Sequence, residues 1–332
     1  MLECEHGVDA CQYMLSRVAD AVYWLNRYIE RAENIARFVD VNLNMLLDLP
    51  TNPGGQWEPL VLTTGDLPFF QEHYGAPTAD NVIHFLTFDA SYPNSIVSCI
   101  RAARENATSI REVISSEMWQ QVNAFYTLVR EAAQAPEQVE IARFLERVKQ
   151  ASHLFAGVMD STMSHNEAWH FGQMGRLLER ADKTSRILDV KYYLLLPSVE
   201  DVGSPIDELG WIALLKSASA YEMYRKRGLH RITPAGVAEF LILDAEFPRA
   251  IRFCLLQVEK SLYKITGTPL GSWHNRVERH LGRLRSQLDY LTIEEIIRQG
   301  MHEFLDSLQQ HMNEVDAEIF QTFFTLEPIK AR

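Results

Sequence analysis

The chain carries two versions of one helix. Residues Arg27 to Val41, RYIERAENIARFVDV, and Arg176 to Val190, RLLERADKTSRILDV, align without a gap at a spacing of 149. A second pair aligns at a spacing of 155: Thr78 to Cys99 (TADNVIHFLTFDASYPNSIVSC) with Thr233 to Cys254 (TPAGVAEFLILDAEFPRAIRFC). A period of about 150 residues is too long for a solenoid and predicts two interlocked halves, about 14–150 and 151–325, that arose by internal duplication.

The patterning is helical almost throughout. From Ser16, read as an N-cap, Val18, Ala21, Val22, Leu25, Tyr28, Ile29, Ala32, Ile35, Ala36 and Val39 recur at 3–4 spacing until Pro50 and the turn Asn52-Pro53-Gly54-Gly55. A shorter helix is expected from about Trp57, with a counterpart from Trp211. Thr78 and Thr233-Pro234 read as caps of the next helix, the chain turns at Asp89 and Asp244, and long helices are expected to start at Pro93 and Pro248. Further helices read at about 116–132, 137–159, 273–290 and 292–318, the last opened by a Thr292-x-x-Glu295 capping box. Strand signals are nearly absent, so the expected fold class is all-α, a multi-helix bundle of two pseudo-equivalent halves. Residues 1–13 lack periodicity and a counterpart, and read as an extension ahead of a single domain over 14–325, with 326–332 as a tail.

Composition narrows the functional classes. Apolar residues make up 47% of the 332, enough for a sizeable core, while a net charge of −12 without a Lys/Arg-rich run argues against nucleic acid as a partner. No stretch approaches 18 apolar residues and the start, MLECEHGVDACQY, is acidic, so neither a membrane span nor a secretory signal is expected and the cytoplasm is the default compartment. Cys4, Cys11, Cys99 and Cys254 form no CxxC, and Cys99 and Cys254 read as small core residues. His165 and His170, five residues apart, do not share a helix face, so no metal is expected. With no GxSxG and no phosphate loop, a self-sufficient catalytic centre is not visible and no cofactor is called for.

What the repeats share is mostly charge. Arg27, Glu30, Arg31, Ala32, Arg37, Asp40 and Val41 are identical to Arg176, Glu179, Arg180, Ala181, Arg186, Asp189 and Val190, and most of these are not apolar. The core stripe centres between Tyr28 and Ala32, so Arg27, Glu30 and Arg37 project onto a face that the local core does not require. Ion pairs, Arg27 with Glu30 and Arg180 with Glu179, would lock a second helix contact near a pseudo-twofold axis. For Arg31 and Arg180, cross-helix carboxylates fit better than the adjacent Glu30 and Glu179, because neighbours in sequence point in different directions. Alternatively, Arg27, Glu30, Arg31 and Arg37 converge with Arg176, Glu179, Arg180 and Arg186 on a polar cleft that holds a carboxylate or phosphate, and a merely solvated face is a third reading. Arg101, Arg104 and Glu105, and Arg249 with Arg252, are charges that such a cleft would recruit. Asp182 beside Glu179 reads as a solvated neighbour.

These blocks resemble the alpha-E family, a bacterial all-helical domain named for its Glu-Arg motif. The likeness runs from MLSRVADAVYWLNRYIERAENIARFVDVN through PNSIVSCIRAARENATSIREVISSEMW, NEAWHFGQMGRLLERADKTSRILDVKYYLLLP and LLKSASAYEMYR to VAEFLILDAEFPRAIRFCL, and places the motif at Glu30-Arg31 and Glu179-Arg180. The resemblance implies partners rather than a reaction: circularly permuted ATP-grasp proteins, transglutaminase-like proteins and, in some gene clusters, an Anbu-type peptidase. The expectation is a helical partner or co-catalytic component of a cytoplasmic ATP-grasp-type amide or peptide ligase system, binding the ligase or its anionic peptide-like substrate. The alternatives are an enzyme acting on an acidic amino acid or peptide through a Glu-Arg cleft, and a purely structural scaffold.

Overall fold

The computed structural model describes residues 8–48, 57–193, 205–228, 231–269 and 271–325, and within them the chain is all-α. The first half comprises α1 (Val8–Asp48), α2 (Glu58–Thr64), α3 (Leu67–Tyr74), α4 (Ala79–Thr87), α5 (Ile96–Ser109), α6 (Ser116–Gln134) and α7 (Ile141–Thr162). The rest comprises α8 (Glu167–Tyr193), α9 (Pro205–Ser217), α10 (Tyr221–Lys226), α11 (Pro234–Leu243), α12 (Ile251–Thr266), α13 (Arg276–Tyr290), α14 (Ile293–Gln299) and α15 (Met301–Ile319).

The local signals that form these helices are mostly those of the sequence. Thr78 and Thr233 accept from the Asn81 and Gly236 N–H groups, and Asn275 and Thr292 each close a capping box, with Glu278 and Glu295. Asp89 and Asp244 hold the turns that follow α4 and α11 by accepting from the backbone N–H of Ser91 and of Glu246 and Phe247.

Several boundaries differ from the sequence reading. Helix α1 starts at Val8, not at Ser16, because no Gly or Pro interrupts residues 8–15. Pro93 and Pro248 lie in turns ahead of the N-caps Ser95 and Ala250, so α5 and α12 start at Ile96 and Ile251. Trp57 caps α2 whereas Trp211 lies inside α9, where Pro205 opens the helix earlier; both rings are 1% exposed. The stretch expected over 137–159 begins as a 3-10 turn at Pro136–Gln138 before α7. That expected over 292–318 is cut at Gly300, whose φ of 105° no helix accommodates. Pro50 and the turn expected at Asn52-Pro53-Gly54-Gly55 lie outside the described residues.

Helices α1 and α8 are central. The first packs against α5, α7, α8 and α9, and the second against α12, α15, α1 and α2. The buried apolar side chains fall into two clusters, one drawn from Ala21 to Ala168 and the other from Phe171 to Ile319 together with Ala19 and Tyr23. The two central helices meet between these clusters, which is why a helix that already has an apolar stripe on its own core also buries a second, polar face.

Candidate functional site: the buried Glu-Arg seam

Helices α1 and α8 run parallel. Gly172 lies against Val22 and Asn26, Gly175 against the Tyr23 carbonyl, and Phe38 and Val41 share a cavity with Ile187 and Val190, so the register stays near 150 residues along the contact. The two glycines permit this approach: a Cβ on Gly175 would collide with the Tyr23 carbonyl oxygen, and one on Gly172 would sit 2.7 Å from the Asn26 amide nitrogen.

Close packing brings the motif residues together crosswise. Arg31 donates from Nε and Nη2 to the two oxygens of Glu179, at 2.7 and 2.9 Å, and Arg180 does the same to Glu30, at 2.8 and 2.7 Å. Both carboxylates are almost completely buried. Pairing of Arg180 with the adjacent Glu179, and of Arg27 with Glu30, is therefore corrected: Arg27 donates from Nε to Glu179 at 3.0 Å and from Nη1 to Asp316 on α15 at 2.5 Å. Tyr23 donates its hydroxyl proton to the same Asp316 oxygen.

The further cation at each motif carboxylate has a different origin, a loop for Glu30 and the central helix itself for Glu179. Glu30 takes Arg249, which precedes α12, with Asn34 beside it; Arg249 reaches Glu30 at 3.1 Å and the Asn34 carbonyl at 2.9 Å. At the aligned places stand Asn94 and Lys183. Asn94 accepts from Arg31 at 2.7 Å, and the Lys183 ammonium lies 3.8 Å from Glu179. The cation has moved from the loop to the central helix, and the charge on each carboxylate is balanced either way.

The seam extends toward one end of the central helices. Glu33 binds Arg37 at 2.7 Å, Arg249 and His153, and accepts from the Ser152 hydroxyl, while at the aligned position Asp182 holds Arg186 at 2.9 Å. Asp182 is thus a buried member of the seam rather than a solvated neighbour. Asp40 pairs with Lys149 and Asp189 with His302, both on the outer helices α7 and α15.

Burial alone would raise the pKa of Glu179, but Arg31, Lys183 and Arg27 together outweigh it and hold the group well below the usual carboxylate range. Glu30 and Glu33 are lowered in the same way against their burial, chiefly by Arg180 and Arg249 and by Arg249 respectively. Carboxylates so held are poor proton acceptors, and each spends its lone pairs on guanidinium donors. The cavity that touches Arg31, Asn94 and Lys183 measures about 20 Å³, room for about one water.

The remaining expected residues separate. Arg101 donates to the Ala90 carbonyl and Ser98, Arg104 donates to Asn123 and lies over the Tyr126 ring, and Glu105 is exposed, so these three form a different neighbourhood on α5. Arg176 contacts Gln173. Asp316 and Asn94 carried no signal in the sequence; Glu33 did, since an acid stands at the aligned position 182. Cys99 and Cys254 are fully buried, each thiol faces a proline carbonyl, and burial pushes both up to about 12. Cys4 lies outside the described residues, as does the Cys11 side chain. Among the described residues no group of three His, Cys, Asp or Glu side chains is placed to hold a metal, and no helix is long and apolar enough to cross a membrane. A separate open cleft of about 830 Å³ lies between α12, α13 and α15, with Trp273, Arg279, His280 and Glu314 on its walls.

A buried, charged motif repeated on two parallel helices is the mark that a family comparison should find, and residues 14–324 match the Alpha-E family, described as a predicted alpha-helical domain with a conserved ER motif. The chain belongs to the Alpha-E family. The Glu-Arg dipeptides on the two central helices of this Alpha-E chain are Glu30-Arg31 and Glu179-Arg180. It is 23% identical over 292 residues to a protein described as uncharacterised from Mycobacterium tuberculosis and to one from Mycobacterium bovis, covering 82% of this chain. The chain spans about a third of the length of these curated relatives, 32%. No solved structure matches it.

Proposed function

We propose that this Alpha-E chain is a rigid helical partner, non-catalytic or co-catalytic, of a cytoplasmic ATP-grasp-type amide or peptide ligase system, and that its ER motif is the clamp that holds the partner's shape. The observation that carries this reading is the crosswise pairing of Arg31 with Glu179 and Arg180 with Glu30. Both carboxylates are buried and saturated by guanidinium groups, which suits architecture and register and leaves no base or electrophile facing a substrate. An Alpha-E enzyme working through an open Glu-Arg cleft finds no support in that geometry. Relatives about three times as long fit a module that works beside other domains, and the family resemblance supplies their class: a circularly permuted ATP-grasp protein, with a transglutaminase-like protein as a second partner.

The clamp also supports descent from a duplicated half. Helix α2 packs on α8 while α9 packs on α1, and α5 and α12 stand in the same relation to α1 and α8. Two halves that exchange their second helices and share a charged seam would be inseparable, so the partner surface would be presented as one body.

The experiment is to purify this chain with a circularly permuted ATP-grasp protein, the class that the family resemblance implies, and measure association by sedimentation and amide formation with and without this chain. A complex at micromolar concentration that changes the ligase rate is the expected result. Absence of both association and effect would rule the reading out.

A further inference from the structure

Helix α13 concentrates positive charge in an acidic chain. Four of its 15 residues are arginines and one is a histidine, against Glu278 and Asp289, while the chain as a whole carries −12. This helix forms one side of the open cleft of about 830 Å³ that it shares with α12 and α15, a size within the range of small-molecule sites.

The acids on the walls of that cleft are largely committed. Glu259, buried on α12, pairs with Arg285 at 2.9 Å, and Glu278 closes the capping box of α13. Glu314 on α15 faces His280 at 3.7 Å. Arg279 and Arg283 are exposed on the cleft and have no carboxylate within 4.0 Å among the described residues.

Exposed arginines alone are ordinary, but these two flank an open floor. Gly282, Arg283 and Ser286 follow Arg279 at helical spacing, so all four share one side of α13. A Cβ on Gly282 would meet only Glu259, at an ordinary 3.7 Å from Oε1, so packing does not demand glycine there, and glycine is unfavourable inside a helix. Its effect is to keep side chains off the floor between the two arginines.

An aromatic ring lies beside them. Trp273 lines the same cleft and is 57% exposed, and the Arg279 guanidinium sits 5.2 Å from its ring centre. The residues on either side of this ring are pinned. The Ser272 carbonyl accepts from the Tyr263 hydroxyl at 3.3 Å, and the His274 N–H donates at 2.6 Å to Glu278, which is buried. An exposed ring held this way is a platform on which a planar group can stack.

We propose that the cleft between α12, α13 and α15 binds a nucleoside diphosphate, its base stacked on Trp273 and its phosphates laid along α13 between Arg279 and Arg283. The two arginines stand four residues apart, about 6 Å along the helix, a spacing that suits two linked phosphates better than one carboxylate. The ring calls for a planar partner and the guanidinium groups for an anion, so neither a bare phosphate nor a neutral nucleoside satisfies both. The site is separate from the Glu-Arg seam, needs no ligase, and is tested on the isolated full chain.

The test titrates the protein with ADP, without added divalent metal, by calorimetry and tryptophan fluorescence, with sodium pyrophosphate and adenosine as comparators at matched ionic strength. ADP should bind saturably at sub-millimolar concentration, and each comparator more weakly. Trp273→Ala should weaken ADP binding about fivefold or more and leave pyrophosphate unaffected. The double variant Arg279→Gln with Arg283→Gln should weaken both, and neither variant should move the thermal midpoint. Gly282→Leu should exclude ADP by filling the floor without removing a charge. The proposal is overturned if wild type shows no saturable ADP binding, if either comparator binds as tightly as ADP, or if the Trp273 and arginine variants bind ADP like wild type. If Gly282→Leu unfolds the chain, those other variants decide by themselves.

Discussion

Arg31 grips both oxygens of Glu179, at 2.7 and 2.9 Å, across 148 residues of chain. Arg180 and Glu30 repeat the grip in the opposite sense across 150 residues, so each central helix contributes one arginine and one carboxylate to its partner.

Breaking either grip leaves a buried carboxylate short of its strongest partner. Arg31→Ala and Arg180→Ala should each lower the unfolding free energy by about 3–5 kcal/mol in urea titrations, and Glu179 keeps Arg27 and Lys183 as weaker support. Losses under about 1 kcal/mol for both variants would mean that the seam does not hold the helices together.

Gly175→Ala separates packing from helix propensity. In an unconstrained helix the change stabilises by about 1 kcal/mol, but here the added methyl meets the Tyr23 carbonyl, a backbone atom that cannot rotate away. The variant should be destabilised by about 1–3 kcal/mol, and a raised melting temperature would show that α1 and α8 are not this close.

Acid should open the seam. The folded-state pKa values of Glu30, Glu33 and Glu179 are all depressed below their ordinary value of 4.5, so the stability they contribute is present above that value and is lost as the pH falls toward the folded values. Stability should be nearly level from about pH 7 to about pH 5.5 and should fall below about pH 4.5, with proton uptake on unfolding. Glu179→Gln should flatten that fall, and a variant with the wild-type acid limb would remove Glu179 from the account.

Cys99 and Cys254 should be silent in the native state. Burial excludes reagents and pushes both thiols up to about 12, so almost no thiolate is present near neutrality. Alkylation read by peptide mass spectrometry should mark these two residues only after denaturant is added, and rapid native labelling of either would place it outside the core.

Periodicity, capping residues and turn acids determined the helices by themselves, because each acts within one or two turns of chain. Thr78, Thr233 and Thr292 cap where the sequence places caps, and Asp89 and Asp244 turn where it places turns. Identical charges at aligned positions also marked Glu30, Arg31, Glu179 and Arg180 as a set. Their partners were beyond it. A helical wheel shows that Arg27 leaves the local core but not what covers the second face, and that face is covered by a helix 152 residues away. Only the tertiary structure decided that Glu179 answers Arg31, that Asp316 closes Arg27, and that Arg101 and Arg104 belong elsewhere. It also decided that Arg176, aligned with Arg27 in the sequence, has no ion pair with a carboxylate among the described residues: α15 delivers Asp316 to Arg27, and Asp160 on α7 faces solvent.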